Sequence, residues 1–408
     1  MMRIQTKKCI ICVFIVFVLA GISTAVEVKP GDVITSENVD QYKDYFTSFM
    51  ARFIRDGHGI VPPASPIHIE ECAIPLAPDS FRNASKENIG KVTINPEDLS
   101  LTGFDYCGIP FPELKEPNLP EKIIANFYYR WRTDDYYYEP EYLCANSQQR
   151  KGGRVTCSNS GSAFIRFVGR TAPGFEKNPP NPHGLFWAQT LHFHQPAFKD
   201  LMTLTWRYLD LEKDDDMWSF IPTLRRTLRM VSSERANPMN GTPLTYDDFN
   251  GFDGRLSQFS YNLISEKKMI GMIDLDIDSH YERNSKGYYH HPIYHGPNYP
   301  YGESEAYVIE IHPKDPSYPE SKKVLYMNKT NYMAMYSEVY DRKGGLWKGY
   351  IFNVSKNKTS KGEDALWFAQ SVTDFKTGHW LNVVTNKNIQ DSGVPHDIFD
   401  PGNFFLHF

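Results

Sequence analysis

The rhythm of apolar and polar residues changes near residue 154, and the change splits the chain into two kinds of segment. Before it, helical spacing occurs twice. Val39, Tyr42, Phe46, Phe49, Met50 and Phe53 fall on one side of a helix expected over residues 35–56, capped by Thr35 or Ser36 and stopped at Gly57. Ile123, Ile124, Phe127 and Trp131 mark a second over 119–132, with Pro120 in its first turn. Residues 61–120 are rich in Pro, Asn and Asp and read as extended coil.

After residue 154 the period becomes two. Strands are expected over 163–169, 185–195, 201–211, 217–229, 259–277, 306–312, 323–328, 333–341, 347–354 and 365–373. Polar turns such as Glu212-Lys213-Asp214-Asp215 and Lys343-Gly344-Gly345 separate neighbours, and such short connections predict an antiparallel meander. The fold class is therefore mainly β (α+β): a large curved antiparallel sheet from about 154 to 385, with the 35–56 helix against it. A leader at 1–25, an N-terminal segment at 26–153 and a sheet domain at 154–408 are the expected divisions.

The strand faces are aromatic. Met202, Leu204, Trp206 and Tyr208 alternate with Thr203, Thr205 and Arg207, and Tyr332, Ala334 and Tyr336 alternate with Met333 and Met335. Core packing is the ordinary use of such a face. A curved sheet closed by a helix can also enclose space for a ligand.

Residues 1–25 have the form of a secretory leader, with Arg3, Lys7 and Lys8 ahead of an apolar run and Ser23-Thr24-Ala25 at the cleavage end. Export to the periplasm with cleavage near Ala25 is expected. Loss of three cations moves the formal charge from −5 to −8, which gives no electrostatic case for nucleic acid. Four cysteines remain, Cys72, Cys107, Cys144 and Cys157; an even count in an exported chain predicts two disulfides. Cys144–Cys157 and Cys72–Cys107 are the favoured pairs.

Between Asp214 and Met272 runs a longer pattern. The strand Met217-Trp218-Ser219-Phe220-Ile221-Pro222 leads to Arg225, Arg226 and Arg229, then to the loop Thr245-Tyr246-Asp247-Asp248-Phe249-Asn250-Gly251-Phe252-Asp253-Gly254-Arg255, then to another strand. Gly108-Ile109-Pro110-Phe111-Pro112, Tyr129-Arg130 with Asp134-Asp135, and Tyr340-Asp341-Arg342-Lys343-Gly344-Gly345-Leu346-Trp347 accompany it. Together these segments, over roughly 36–385, resemble domain-of-unknown-function family 1329, proteobacterial proteins labelled outer-membrane lipoprotein-sorting-like. The resemblance implies a half-open β-barrel with covering helices, like that of lipoprotein carriers, holding a lipid or other hydrophobic molecule. It also implies a transport partner in the inner or outer membrane. On that architecture Trp187, Trp206, Tyr208, Trp218, Phe220, Tyr307 and Tyr336 are the expected cavity lining.

Other chemistry is thinly represented. Arg225, Arg226 and Arg229 can meet an anionic headgroup at the rim or pair with Asp247, Asp248 and Asp253, and local pairing is the expectation. His192 and His194 share a strand face at a spacing zinc can use, and His280, His290, His291 and His295 form a second group. No carboxylate or cysteine stands at diagnostic spacing near either, so no metal and no cofactor are expected. Asp274, Asp276 and Asp278 read as a solvated strand face. No Gly-x-Ser-x-Gly elbow, phosphate loop or dinucleotide fingerprint occurs, and a non-enzymatic role is expected. The ending Phe404-Phe405-Leu406-His407-Phe408 has the alternation of an outer-membrane strand, cut short by Asp400-Pro401-Gly402. The alternatives to a carrier are a non-catalytic structural protein of the outer membrane and a histidine-dependent metalloenzyme.

Overall fold

The computed structural model describes residues 26–57, 66–71, 73–138, 144–149, 156–194, 199–273, 300–385 and 389–407. The leader, Cys72, the Asp274, Asp276 and Asp278 strand and His280, His290, His291 and His295 lie outside them.

The first strands are β1 (Val33–Ile34), β2 (Ile67–Ile69), a small hairpin of β3 (Thr93–Ile94) and β4 (Leu101–Thr102), and β5 (Asp135–Tyr138). Next come β6 (Cys144–Gln149), β7 (Thr156–Arg166), β8 (Leu185–Phe193), β9 (Leu201–Tyr208), β10 (Asp216–Ile221) and β11 (Arg226–Met230). The last group is β12 (Phe259–Ile273), β13 (Pro300–Pro313), β14 (Glu320–Asn328), β15 (Ala334–Asp341), β16 (Leu346–Lys358), β17 (Asp364–Asp374), β18 (Trp380–Thr385) and β19 (Ile389–Gln390). Three helices accompany them: α1 (Ser48–Asp56), α2 (Asp79–Lys86) and α3 (Leu119–Tyr128).

All strands but β3 and β4 join one 17-stranded sheet. Its spine runs β11–β10–β9–β8–β7–β6–β18–β17–β16–β15–β14–β13–β12, antiparallel at every step. Two short parallel contacts make it a mixed sheet. Met272 and Ile273 of β12 lie beside Asn353 and Val354 of β16, which closes strands β12–β16 on themselves at that end. Pro300 and Tyr301 of β13 lie beside His68 and Ile69 of β2. The result is a half-open barrel. β6 and β7 stand on either side of residues 153 and 154 and pair with each other.

Alternation distributes the core over two faces. Ile309 and Ile311 of β13 and Leu325 and Met327 of β14 face what is here called the front. Ala306, Val308, Val324 and Tyr326 face the back. The front is covered by α3 and the segment Tyr246–Gln258. The back is covered by α1 over β12–β16, and by the turns His396–Phe399 and Phe404–Leu406 over β7–β10. Burial of Phe49, Met50, Phe53 and Ile54 holds α1 there, worth at most roughly 6–12 kcal/mol for the four side chains.

Several expected elements differ. The 35–56 helix begins only at Ser48, because Thr47 is extended (φ −73°, ψ 160°) and its side chain accepts from Met50 N at 3.2 Å. Ahead of it the apolar spacing is met by two 3₁₀ turns, Val39–Gln41 and Lys43–Tyr45, whose period of three also brings Val39, Tyr42 and Phe46 into the core. α3 stops at Tyr128, short of 132. The supposed coil holds α2, which buries little beyond Phe81 and Ser85 and so shows no apolar stripe. Gly108 packs on that helix: a Cβ there would lie 2.5 Å from Ser85 Cα. The single strand expected over 217–229 is the β10–β11 hairpin, in which Ile221 pairs with Arg226. Phe404–Leu406 forms a 3₁₀ turn, not a strand, and Phe405 stacks on Phe220 at 4.4 Å. Among the described residues no helix is long and apolar enough to cross a membrane.

Candidate functional site

The seven aromatic residues expected to line one cavity stand in three places. Trp187 and Tyr307 are on the front, where Trp187 packs near the Arg207 guanidinium (4.9 Å) and Tyr307 stacks on Tyr332. Trp206, Tyr208, Trp218 and Phe220 are on the back, under the C-terminal turns. Trp206 Nε1 donates to Phe399 O at 2.8 Å. Tyr336 is also on the back, against Phe49, and donates to Ile270 O at 2.7 Å. The period of two was read correctly in β9, but in β15 a bulge opposite Tyr326 and Met327 breaks it: Tyr332 and Ala334 face the front and Tyr336 the back, although alternation had placed all three together. What it could not reveal is which face the C-terminal turns would cover.

The front carries a network of buried charges. Arg207 bonds Asp215 (2.9 Å), and Arg235 bonds both Asp215 and Asp247 (2.8 Å each). Arg132 holds Asp253 at 2.8 Å. Asp248 accepts from Lys323, from Lys348 at 3.2 Å and from the Tyr350 hydroxyl at 2.6 Å. Burial alone would raise the Asp248 carboxyl, but the two lysines hold it well below the usual carboxylate range. Burial and then Asp248 itself push Glu320 up to about 7. These bonds pin the 246–258 segment to the sheet. Gly251 sets its closeness: it has φ 99°, and a Cβ there would lie 2.7 Å from Ala334 Cβ. Arg130, just past α3, adds a bond to Asn250 O at 3.2 Å. Beside the network a mixed polar cleft of ≈530 Å³ is lined by Asp214, Arg235, Arg255, Lys314 and Tyr318 among others.

The expected pairing of Arg225, Arg226 and Arg229 with the 247–253 loop is therefore overturned. Arg225 sits in the β10–β11 turn with φ 50°, Arg226 is exposed, and Arg229 reaches Asp216. Asp247, Asp248 and Asp253 take their cations from Arg235, Lys323, Lys348, Arg132 and Arg207 instead, contacts that cross the fold and leave no local sequence signal.

No disulfide occurs among the described residues. Cys107 is a buried free thiol, raised by burial and by Asp105. Cys157 stands opposite Ser147, three ladder positions from Cys144. That is about 10 Å along a strand, beyond the ~7 Å a disulfide spans.

Between the front face and Phe249 of the covering segment lies a recess of ≈50 Å³. Phe164, Leu191, Phe249, Trp367, Phe368 and Val383 supply its apolar lining; Arg132, Gln189, Asn250 and Gln370 supply polar tips. Leu191, Phe249, Phe368 and Val383 are only half-buried and leave apolar surface beside the recess, here called the groove. Three buried atoms around it have no hydrogen-bond partner: Gln370 Nε2, Trp367 Nε1 and Asn250 Oδ1. The Gln370 residue is 1% exposed. Unpaired polar atoms this deep are uncommon, and a molecule offering both a donor and an acceptor would satisfy them. Apart from this recess and the polar cleft, buried side chains such as Ile309, Leu325 and Tyr350 occupy the front face among the described residues. Sequence reasoning missed this site; its one signal was Gln370, a polar residue amid the apolar run Leu366-Trp367-Phe368-Ala369.

The family model for DUF1329, described as a protein of unknown function, matches residues 33–403. The chain belongs to that family. Among solved structures, it is similar to a domain described as an outer-membrane lipoprotein-sorting protein domain, from Vibrio parahaemolyticus (16% identity, TM-score 0.48, 70% of this chain and 97% of that one). A DUF1329 protein from Desulfovibrio piger matches at 19% identity and TM-score 0.45, over 66% and 90% of the two chains. A LolA superfamily protein from Nitrosomonas europaea matches at 13% and 0.40, over 66% and 92%. No curated protein matches the chain.

Proposed function

We propose that this DUF1329 protein is an exported, periplasmic, non-enzymatic carrier for a lipid-like molecule, bound in the recess and groove on the front of the half-open barrel. The observation that supports it is the cluster of unpaired Gln370, Trp367 and Asn250 atoms around the recess, beside the half-buried apolar residues of the groove. A polar headgroup would satisfy them, with Arg132 close by as a cation. The hydrocarbon would lie across Leu191, Phe249, Phe368 and Val383. The recess has room for about one or two waters or a small headgroup, not for a whole acyl chain. The chain's apolar part therefore gains its burial in the groove, at roughly 0.8 kcal/mol per methylene covered. About eight methylenes would supply roughly 6 kcal/mol before ordering costs.

The test is titration with a fluorescent fatty acid. Leu191→Arg and Phe368→Arg should each weaken binding at least tenfold, while Trp206→Ala on the back and the exposed Lys115→Ala should change it less than twofold. Circular dichroism of each variant confirms the fold. A wild-type protein that binds no such probe ends the carrier reading; loss in Trp206→Ala alone moves the site to the back face.

A further inference from the structure

The end of the β8–β9 hairpin brings together three groups that the sequence keeps apart. His192 lies on β8, His194 follows just beyond it, and Asp200 immediately precedes β9. Asp200 adopts a left-handed φ of 62°, and its N–H donates to Phe193 O at 2.9 Å. A non-glycine residue in that region is held there by its surroundings, and here the result is a carboxylate turned toward the two imidazoles. Asp200 Oδ1 lies 3.7 Å from His192 Nε2 and 3.7 Å from His194 Nδ1. The two rings are 3.9 Å apart, centroid to centroid. All three ligand atoms fall within 4.8 Å of one another.

These distances suit one kind of occupant. A separation of 3.7 Å is long for a direct imidazole–carboxylate hydrogen bond. Tetrahedral ligation at ~2.0–2.2 Å from each atom would set the atoms ~3.3–3.6 Å apart, within a few tenths of an ångström of the two imidazole–carboxylate separations. The donor set is right as well: two imidazoles and a carboxylate suit zinc and its first-row neighbours. His192 is buried, while the Asp200 side chain is 52% exposed, so an ion can enter from solvent and keep a fourth, solvent-facing position.

We propose that His192, His194 and Asp200 form a divalent transition-metal site, with Zn²⁺ its representative ion, that fastens the end of β8 to the start of β9. The expectation of no metal rested on the lack of a carboxylate near the histidines; the hairpin supplies one six residues after His194. His192 adjoins Leu191 of the groove on β8 but pairs with Met202, whose side chain is on the opposite face of the sheet, and neither reading depends on the other.

The experiment is calorimetric titration of the untagged full mature chain with Zn²⁺ alone, followed by Co²⁺ absorption spectra. One ion should bind per chain, and Co²⁺ should show the intense visible bands of a four-coordinate N/O site. His194→Gln and Asp200→Asn change half-exposed or exposed side chains, so both should fold with wild-type circular dichroism. Each should weaken Zn²⁺ binding at least tenfold. A His290→Ala/His291→Ala double variant should bind as the wild type does. The proposal is overturned if the wild type takes up no ion, if binding survives both single substitutions, or if the double variant abolishes it.

Discussion

Replacing Asp248 by Asn tests the account of how the covering segment is held. The carboxylate lies among Lys323, Lys348 and Tyr350, and the residue is 1% exposed. Asn keeps the shape and can still accept from Tyr350, but it leaves two buried ammonium groups facing one weak counterion. That counterion is Glu320, 3.8 Å from Lys348. Breaking a buried pair from one side costs about 3–5 kcal/mol. At about 2.1 cal/mol/K per residue, a chain of this length unfolds with an entropy of about 0.8 kcal/mol/K, so Tm should fall by about 4–6 °C at pH 7. The pH dependence adds a second check. In the wild type Glu320 has its folded pKa raised to about 7, so its contribution to stability is fully present below its unfolded value and is lost as pH climbs to about 7. The Asp248→Asn substitution would remove the repulsion that adds to burial in raising it, and Glu320 would ionise at lower pH beside the lysines. The deficit of the variant should therefore be larger at pH 5 than at pH 8, by differential scanning calorimetry. A loss under about 1 kcal/mol, or one equal at both pH values, would refute the reasoning.

Three further outcomes are expected. Gly251→Ala meets both a left-handed backbone and Ala334, and should lower stability by about 2–4 kcal/mol in urea titration; a neutral change would contradict the packing described. Asp391 is pushed up to about 7 by burial and by Asp134 beside it, so the wild type should lose stability from about pH 4 to pH 7. Asp391→Asn, which tolerates φ 53° and still accepts from Thr133 and Asp134, should flatten that slope by about 3–4 kcal/mol; an unchanged slope would show the carboxyl is ordinary. Finally, Cys107 should react with a thiol reagent in the unfolded, unreduced protein and hardly at all in the folded one, as mass spectrometry of the labelled peptide would show.

Local pattern reached far into this fold. The strand sequence from β7 to β17, except that β10 and β11 were read as one strand, the apolar side of the α1 region and α3 follow from period and turn chemistry, because each depends on neighbours within a few residues. The strands added by β1, β2, β5, β6, β18 and β19 were missed: most are short, and their pairing partners are distant. The candidate site was legible only in part. Aromatic strand faces were visible, but front and back are decided by where α3, the 246–258 segment and the C-terminal turns settle. Trp206 and Trp218 look like cavity residues until Phe399 and Phe405 cover them. The charged loop was equally misleading, since Asp248 finds its lysines 75 and 100 residues away.

The claim that a lipid-like chain binds on the front is tested most directly by fatty acids brominated at mid-chain, which quench tryptophan fluorescence only over short distances. Trp367 lines the recess, whereas Trp206 and Trp218 lie on the back. The account predicts saturable quenching in the wild type that is largely lost in Trp367→Phe and retained in a Trp206→Phe/Trp218→Phe variant. Absence of saturable quenching, or quenching that survives Trp367→Phe and disappears with the back-face pair, would contradict it.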